Sequence, residues 1–171
     1  MRLDHIAYRV ADRKRAADFF VNAFNYSVQT EFDIDFPDGS SAKCVALEPP
    51  EKVHDAPWTH LLLDAELHVP PEIFVSDGSP DSVVGRWVAR RGPGVHHLAY
   101  QVPSVQKQMD LWRQKGFAEF ASPNPLSCPD LVQVFTRPSE ITGVVYEFIE
   151  RGKHGFCRDN VRDLMIASDR L

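Results

Sequence analysis

Apolar and polar residues alternate from Arg2 to Val10, with His5, Ala7 and Arg9 on one face and Ile6, Tyr8 and Val10 on the other. That period of two predicts a half-buried strand near 2–10. The period then lengthens. Asp12 is a suitable helix N-cap, and Ala16, Phe19, Phe20 and Ala23 follow at helical spacing, which predicts a helix over about 13–25. Strands are expected near 26–36 and 42–48, split by the turn signal Pro37-Asp38-Gly39. Residues 49–71 are proline-rich, with a weak strand candidate at Leu61-Leu62-Leu63 and a better one at Glu72-Ile73-Phe74-Val75.

The second half repeats the scheme. A short helix around 82–90, capped by Ser79 or Asp81 and stopped by Gly92-Pro93-Gly94, connects the halves. A strand is expected at 95–102, a helix near 104–115 ending at Gly116, and a strand near 117–121. The loop 122–129 is proline-rich; strands at 131–137 and 144–150 and a C-terminal helix over 159–169 complete the pattern. The repeat extends to side chains. Leu3-Asp4-His5-Ile6-Ala7-Tyr8-Arg9-Val10 aligns with Val95-His96-His97-Leu98-Ala99-Tyr100-Gln101-Val102, placing His5 on His97 at an offset of 92 residues. Such self-similarity marks a duplicated strand–helix unit. The expected fold is α+β: two tandem βαβββ modules forming a curved mixed sheet around a central cleft. The boundaries are 1–78, a connector 79–94, a second module 95–158 and a helix 159–171.

Composition narrows the function classes. A chain of 171 residues with a net charge of −5 and no basic block is a poor partner for nucleic acid. No apolar run approaches the ~20 residues of a membrane helix. Met1 leads directly into a strand, leaving no room for a signal peptide, and Cys44, Cys128 and Cys157 are odd in number and scattered. Reduced thiols and a cytoplasmic location are therefore expected.

Three residues can bring chemistry to the cleft. His5 and His97 occupy equivalent strand positions, and Glu147 shares a strand face with Val145 and Ile149. A carboxylate within an apolar strand is costly to bury unless it is paired or binds a metal. Two imidazoles and one carboxylate form a facial triad suited to Fe(II), with positions left open. His96 should point to the opposite face from His97, and His54, His60, His68 and His154 read as surface or loop residues. Arg9 and Gln101 share the parity of the two histidines. Arg9 is expected as a strand-end side chain in solvent, and Gln101 as a candidate lining residue.

The repeats Asp-His-Ile-Ala-Tyr and Gly-Val-His-His-Leu-Ala-Tyr resemble the vicinal oxygen chelate superfamily of glyoxalases, acyl-CoA epimerases, extradiol dioxygenases and antibiotic-binding proteins. Three segments, 131–138, 146–151 and 155–161, are similar in order and spacing to the catalytic domain of the 4-hydroxyphenylpyruvate dioxygenase family. This resemblance covers almost the whole chain. It implies His5, His97 and Glu147 as iron ligands, Gln133 as a substrate-contacting glutamine, and Phe135 and Phe156 as aromatic walls. Val161 stands where that family's motif has a second phenylalanine, and is a candidate lining residue. The implied enzyme is an Fe(II)-dependent dioxygenase acting on a small-molecule 2-oxo acid, with a homodimer shielding the sheet's apolar edge.

Two other readings belong to the same superfamily. Glyoxalases and epimerases use four protein ligands with Co, Ni, Zn, Mn or Mg, and here the fourth would be Glu72, about one residue off register. Resistance proteins bind drugs in the cleft without catalysis.

Overall fold

A computed structural model describes residues 1–50, 70–129, 131–152 and 156–169. The expected strand at 61–63, His54, His60, His68, His154 and Gly155 of the third family-like segment lie outside these residues. The elements in chain order are β1 (Arg2–Arg9), α1 (Arg13–Phe24), β2 (Ser27–Asp35), β3 (Ser41–Glu48), β4 (Glu72–Gly78), α2 (Val83–Arg91), β5 (Gly94–Gln101), α3 (Val105–Lys115), β6 (Leu126–Cys128), β7 (Leu131–Phe135), β8 (Val145–Arg151) and α4 (Arg158–Asp169).

Local chemistry sets the helix boundaries. The Asp12 side chain accepts from the Arg15 amide at the start of α1, and Asn25 ends it in the left-handed region. Ser82 and Ser104 cap α2 and α3 in the same way. Gly116 ends α3 at φ 65°, a conformation that glycine adopts without a Cβ clash.

The eight strands form one mixed sheet in the order β2-β3-β4-β1-β5-β8-β7-β6, a curled half-barrel. β1 and β5, the duplicated strands, lie side by side and antiparallel at its centre. Each pairs in parallel with the last strand of its own half, β1 with β4 and β5 with β8. Alternation then sorts the side chains as the sequence predicts. Ile6, Tyr8 and Val10 pack beneath α1 with Val45, Leu47, Ile73 and Val75. Tyr100 and Phe148 pack beneath α3 with Val105 and Met109. The other face of the sheet is concave. There Ala7, Phe74 and Cys44 meet Val83 and Val84 of α2 and Val161 and Met165 of α4. Among the described residues, no helix is long and apolar enough to cross a membrane.

Two expectations fail locally. The strand expected at 117–121 is reduced to one bridge, Phe120 to Thr136, and pairing resumes only at β6. Pro123 and Pro125 cannot donate to a ladder, so they delay the strand until the chain has passed them. Nor are all the cysteines reduced thiols. Cys128 at the end of β6 and Cys157 before α4 are joined as a disulfide, with Cα atoms 6.8 Å apart. α4 crosses β6 and β7, which brings the two cysteines together. Cys44 is free and buried, its thiol pushed up to about 12 by burial.

Candidate metal centre

His5 rises from β1, His97 from β5 and Glu147 from β8, all onto the concave face. His97 Nε2 lies 3.0 Å from Glu147 Oε2, His5 Nε2 lies 3.4 Å from the same oxygen, and the two Nε2 atoms are 3.2 Å apart. The three residues are buried, and their ligand atoms all fall within 4.8 Å of one another.

What holds each imidazole is a break in the β1–β5 ladder. Leu3 pairs with Tyr100 and His5 with Ala99, which leaves Asp4 as an extra residue on β1. Ala7 pairs with His97 and Tyr8 with Val95, which leaves His96 as the extra residue on β5. A bulge turns a residue off its regular side. Asp4 is therefore buried, and its Oδ1 accepts from His5 Nδ1 at 2.8 Å. His96 Nδ1 lies 2.8 Å from His97 Nδ1, and His96 lines the same cavity as His97. The strand parity that sends His96 to the opposite face does not survive the bulge. With both Nδ1 atoms engaged, the Nε2 atoms are free to face the carboxylate.

Electrostatics point the same way. Burial lowers the His5 pKa, but its bonds to Asp4 and Glu147 outweigh this and push it up to about 9. Burial also opposes ionisation of Glu147, yet hydrogen bonds to His5 and His97 hold its carboxyl well below the usual carboxylate range. Burial lowers the His97 pKa despite the same glutamate. With its Nε2 deprotonated, His5 joins His97 and Glu147 as a set of three ligand atoms able to hold a cation between them. The donor set fits a divalent transition metal bound on one face.

Glu147 is itself positioned. Gln133 Nε2 donates to Glu147 Oε1 at 2.6 Å, and Asn160 Nδ2 of α4 donates to Gln133 Oε1 at 3.3 Å. The cavity over the triad, about 30 Å³, is lined by Phe74, Gln133, Phe135, Phe156, Val161 and Leu164, among others. The Phe135 ring lies tilted by 48° against the His97 ring with centroids 4.7 Å apart, and Phe156 sits edge-on to His5 at 5.2 Å.

Glu72 stands apart from this group. It pairs with His5 across the β1–β4 ladder, and its Oε2 is 3.2 Å from Arg151 Nη1. Burial raises its pKa, against the pull of Arg151. The register identifies the position equivalent to Glu147. Ala99, two residues after His97, pairs with Glu147; Ala7, two residues after His5, pairs with Phe74. Glu72 is thus two residues away from the matching site, not one, on the same face but about 7 Å further along the strand. Gln101 also lies outside the metal cavity, at a separate surface depression, where Arg2 Nη2 donates to its Oε1 at 3.1 Å.

Sequence reasoning passed over Asp4 and Asn160 and misplaced Arg9. Arg9 is no solvent-facing strand end: it is 2% exposed and lines the metal cavity. The parity of β1 already aimed it inward; the depth comes from α4, which closes over it.

Comparisons with known proteins agree with this architecture. Residues 4–126 match the profile of the Glyoxalase/Bleomycin resistance protein/Dioxygenase superfamily. A mutant of 4-hydroxymandelate synthase from Streptomyces coelicolor superposes with a TM-score of 0.76 at 21% identity, covering 99% of this chain and 53% of that one. The chain therefore spans about half the length of that synthase. Methylmalonyl-CoA epimerase from Mycobacterium tuberculosis superposes with a TM-score of 0.63 at 20% identity, covering 88% of each chain. A hypothetical protein from Bacillus halodurans gives 0.65 at 22% identity, covering 91% of this chain and 98% of that one. No curated protein matches the sequence.

Proposed function

Because the chain belongs to the glyoxalase/bleomycin resistance protein/dioxygenase superfamily, we propose that it is a metal enzyme using His5, His97 and Glu147 to hold Fe(II) and oxidise a 2-oxo acid. The observation that carries this reading is Phe74. It occupies the position equivalent to Glu147 in the first half and offers no ligand atom, which favours a centre with three protein ligands among the described residues. When bound, Fe(II) supplies Lewis-acid polarisation and redox chemistry.

The chain's own residues supply the rest. Asp4 and His96 fix the two imidazoles with Nε2 inward. Gln133 orients Glu147 through Oε1 and leaves Oε2 for the cation, while keeping its own amide at the cavity wall. Phe74, Phe135 and Phe156 exclude water and present flat apolar faces to the carbon skeleton of the substrate. No separate general acid or base is required, since the leading bond change is decarboxylation.

A second reading draws on the epimerase, whose match spans most of both chains. It is a glyoxalase- or epimerase-type reaction, with proton transfer next to a carbonyl and Co, Ni, Zn, Mn or Mg as metal. It would need Glu72 to leave Arg151 and approach the triad.

Metal analysis of freshly purified protein, followed by oxygen-uptake measurements on adding 2-oxo acids, separates these readings. One iron per chain, lost in His97→Ala, with oxygen consumption coupled to carbon dioxide release, supports the oxygenase. Zinc, nickel or cobalt with proton exchange and no oxygen uptake supports the isomerase. Absence of metal, with ligand binding unaffected in His97→Ala, assigns a non-catalytic binding role. The proposal includes a homodimer; the Cys128–Cys157 disulfide removes the thiol argument for a cytoplasmic location. Phe19 and Phe24 are more than half exposed on α1, an apolar surface for a second copy to cover. Light scattering at twice the 19.4 kDa chain mass supports the dimer, and a clean monomer overturns it.

A further inference from the structure

We propose that Arg9 is an anion-recognising residue at the far end of the metal cavity, so that the substrate carries a second anionic group opposite its chelating end. The proposal rests on the metal-chelate reading above and extends it to substrate class. Arg9 is 2% exposed and shares the concave face of β1 with His5. Four residues at ~3.3 Å rise separate the two Cα atoms by about 13 Å. His5 and Arg9 therefore enter the lining of the same cavity from well-separated positions on β1.

The guanidinium is only partly satisfied. Its Nη2 donates to Ser168 Oγ at 2.8 Å, and its carbon sits 5.8 Å from the Trp87 ring centroid. Nη1 is buried and has no hydrogen-bond partner among the described residues. Asp169 is the leading charge acting favourably on Arg9, but its own oxygens are bonded to Arg86, at 2.6 Å from Nη2, with Arg90 at 3.8 Å. Burial accordingly drives the Arg9 pKa down to about 9, the mark of a cation short of compensation. His96 stays neutral beside it, its pKa lowered by burial and by Arg9.

A buried cation with an unused donor is costly unless a ligand completes it. The chemistry that completes it is a carboxylate or similar oxyanion, taken by charge-assisted hydrogen bonds. Ser76 lies on the same face of the neighbouring strand, and its hydroxyl, which donates across a long 3.4 Å to the Tyr8 carbonyl, is a second donor for that group. Between the two poles the wall is apolar: Ala7, Phe74, Leu164 and Met165. The expected substrate is a 2-oxo acid, or another vicinal-oxygen chelator, with a short apolar spacer and a distal carboxylate.

The test uses the full chain loaded with Co(II), whose visible spectrum reports chelation, with affinities measured by calorimetry. The probes are straight-chain 2-oxo dicarboxylates of five to seven carbons and the matching 2-oxo monoacids ending in a methyl group. At the best-fitting length, the dicarboxylate is expected to bind roughly tenfold to a hundredfold tighter than its monoacid, the usual worth of a charge-assisted hydrogen bond. Arg9→Met should abolish that preference while leaving the monoacid affinity and the Co(II) spectral change intact, and Arg9→Lys should restore part of it. Equal affinity of both acids for the native protein at every length overturns the assignment, even if Arg9→Met fails to fold. So does a preference that Arg9→Met leaves untouched. A spectral change with both acids but no preference overturns the anion site and leaves the chelate standing. An Arg9-dependent preference with no spectral change supports the anion site and overturns the chelate.

Discussion

A carboxylate sealed among apolar strands is stable only where its charge is answered, and Glu147 is answered twice, by His5 and His97. Asp4 in turn anchors His5, and Arg151 steadies Asp4 from the other side with Nη2 at 2.5 Å from Oδ1. Asp4→Asn keeps the shape but removes the charge behind the ligand. Its metal affinity is expected to fall about 10- to 100-fold, as for other orienting partners of ligating histidines. Competition against a coloured chelator measures this, and an unchanged affinity would reduce Asp4 to a packing role. Cys44 gives a second expectation at this scale. Its thiol is buried and its pKa is pushed up to about 12, so the reactive thiolate is scarce at neutral pH. Peptide mapping should find Cys44 unalkylated in the native protein and fully alkylated in guanidinium; rapid native labelling would refute this. The triad was legible because duplicated histidines and an acid in an apolar strand are rare patterns. Arg9 was legible in direction but not in depth. What buries it is α4, some 150 residues away along the chain, and a strand pattern carries no record of that contact.

Elements were legible wherever their period and their caps agreed. β1, α1, β5, α3 and β8 all lie close to their expected bounds, because alternation, Asp12, Ser104 and Gly116 each act locally. The strand expected at 117–121 shrinks to the Phe120–Thr136 bridge, and β6 begins only past Pro123 and Pro125, which lack the N–H a ladder needs. α2 holds a further constraint that propensity conceals. A Cβ on Gly85 would meet the Ser79 carbonyl oxygen at 2.0 Å and Pro80 Cα at 2.8 Å, both backbone atoms. Glycine to alanine in a helix ordinarily gains about 1 kcal/mol. Here the close approach reverses the sign, and Gly85→Ala is expected to cost about 1–3 kcal/mol, the scale of overpacking. For a chain of this size each kcal/mol lowers the melting temperature by roughly 2–4 °C. A melting temperature above that of the native protein would show that the Ser79–Pro80 turn yields freely.

Across the whole molecule, the half-barrel must be covered on both sides. α1 and α3 protect the convex face, and α4 closes the concave one with Val161, Leu164 and Met165. Burial of each such side chain contributes roughly 1.5–3 kcal/mol. Truncation after Cys157 should therefore leave the metal cavity open, raise the binding of a hydrophobic dye and cost the protein its cooperative melt. A truncated chain that melts like the native one would show that the sheet needs no cover. The duplication carries a further consequence through the two ladder irregularities. Each half has one surplus residue immediately before its histidine, aspartate in one and histidine in the other, and that surplus residue engages the ring nitrogen facing away from the carboxylate. The fold has thus copied a defect along with a strand, then differentiated it. One imidazole leans on an anion and is the stronger electron donor; the other leans on a neutral ring and is the weaker. Deleting either surplus residue would make the sheet more regular and unhitch the histidine beside it, so in this fold the perfect ladder is the one that leaves an imidazole unheld.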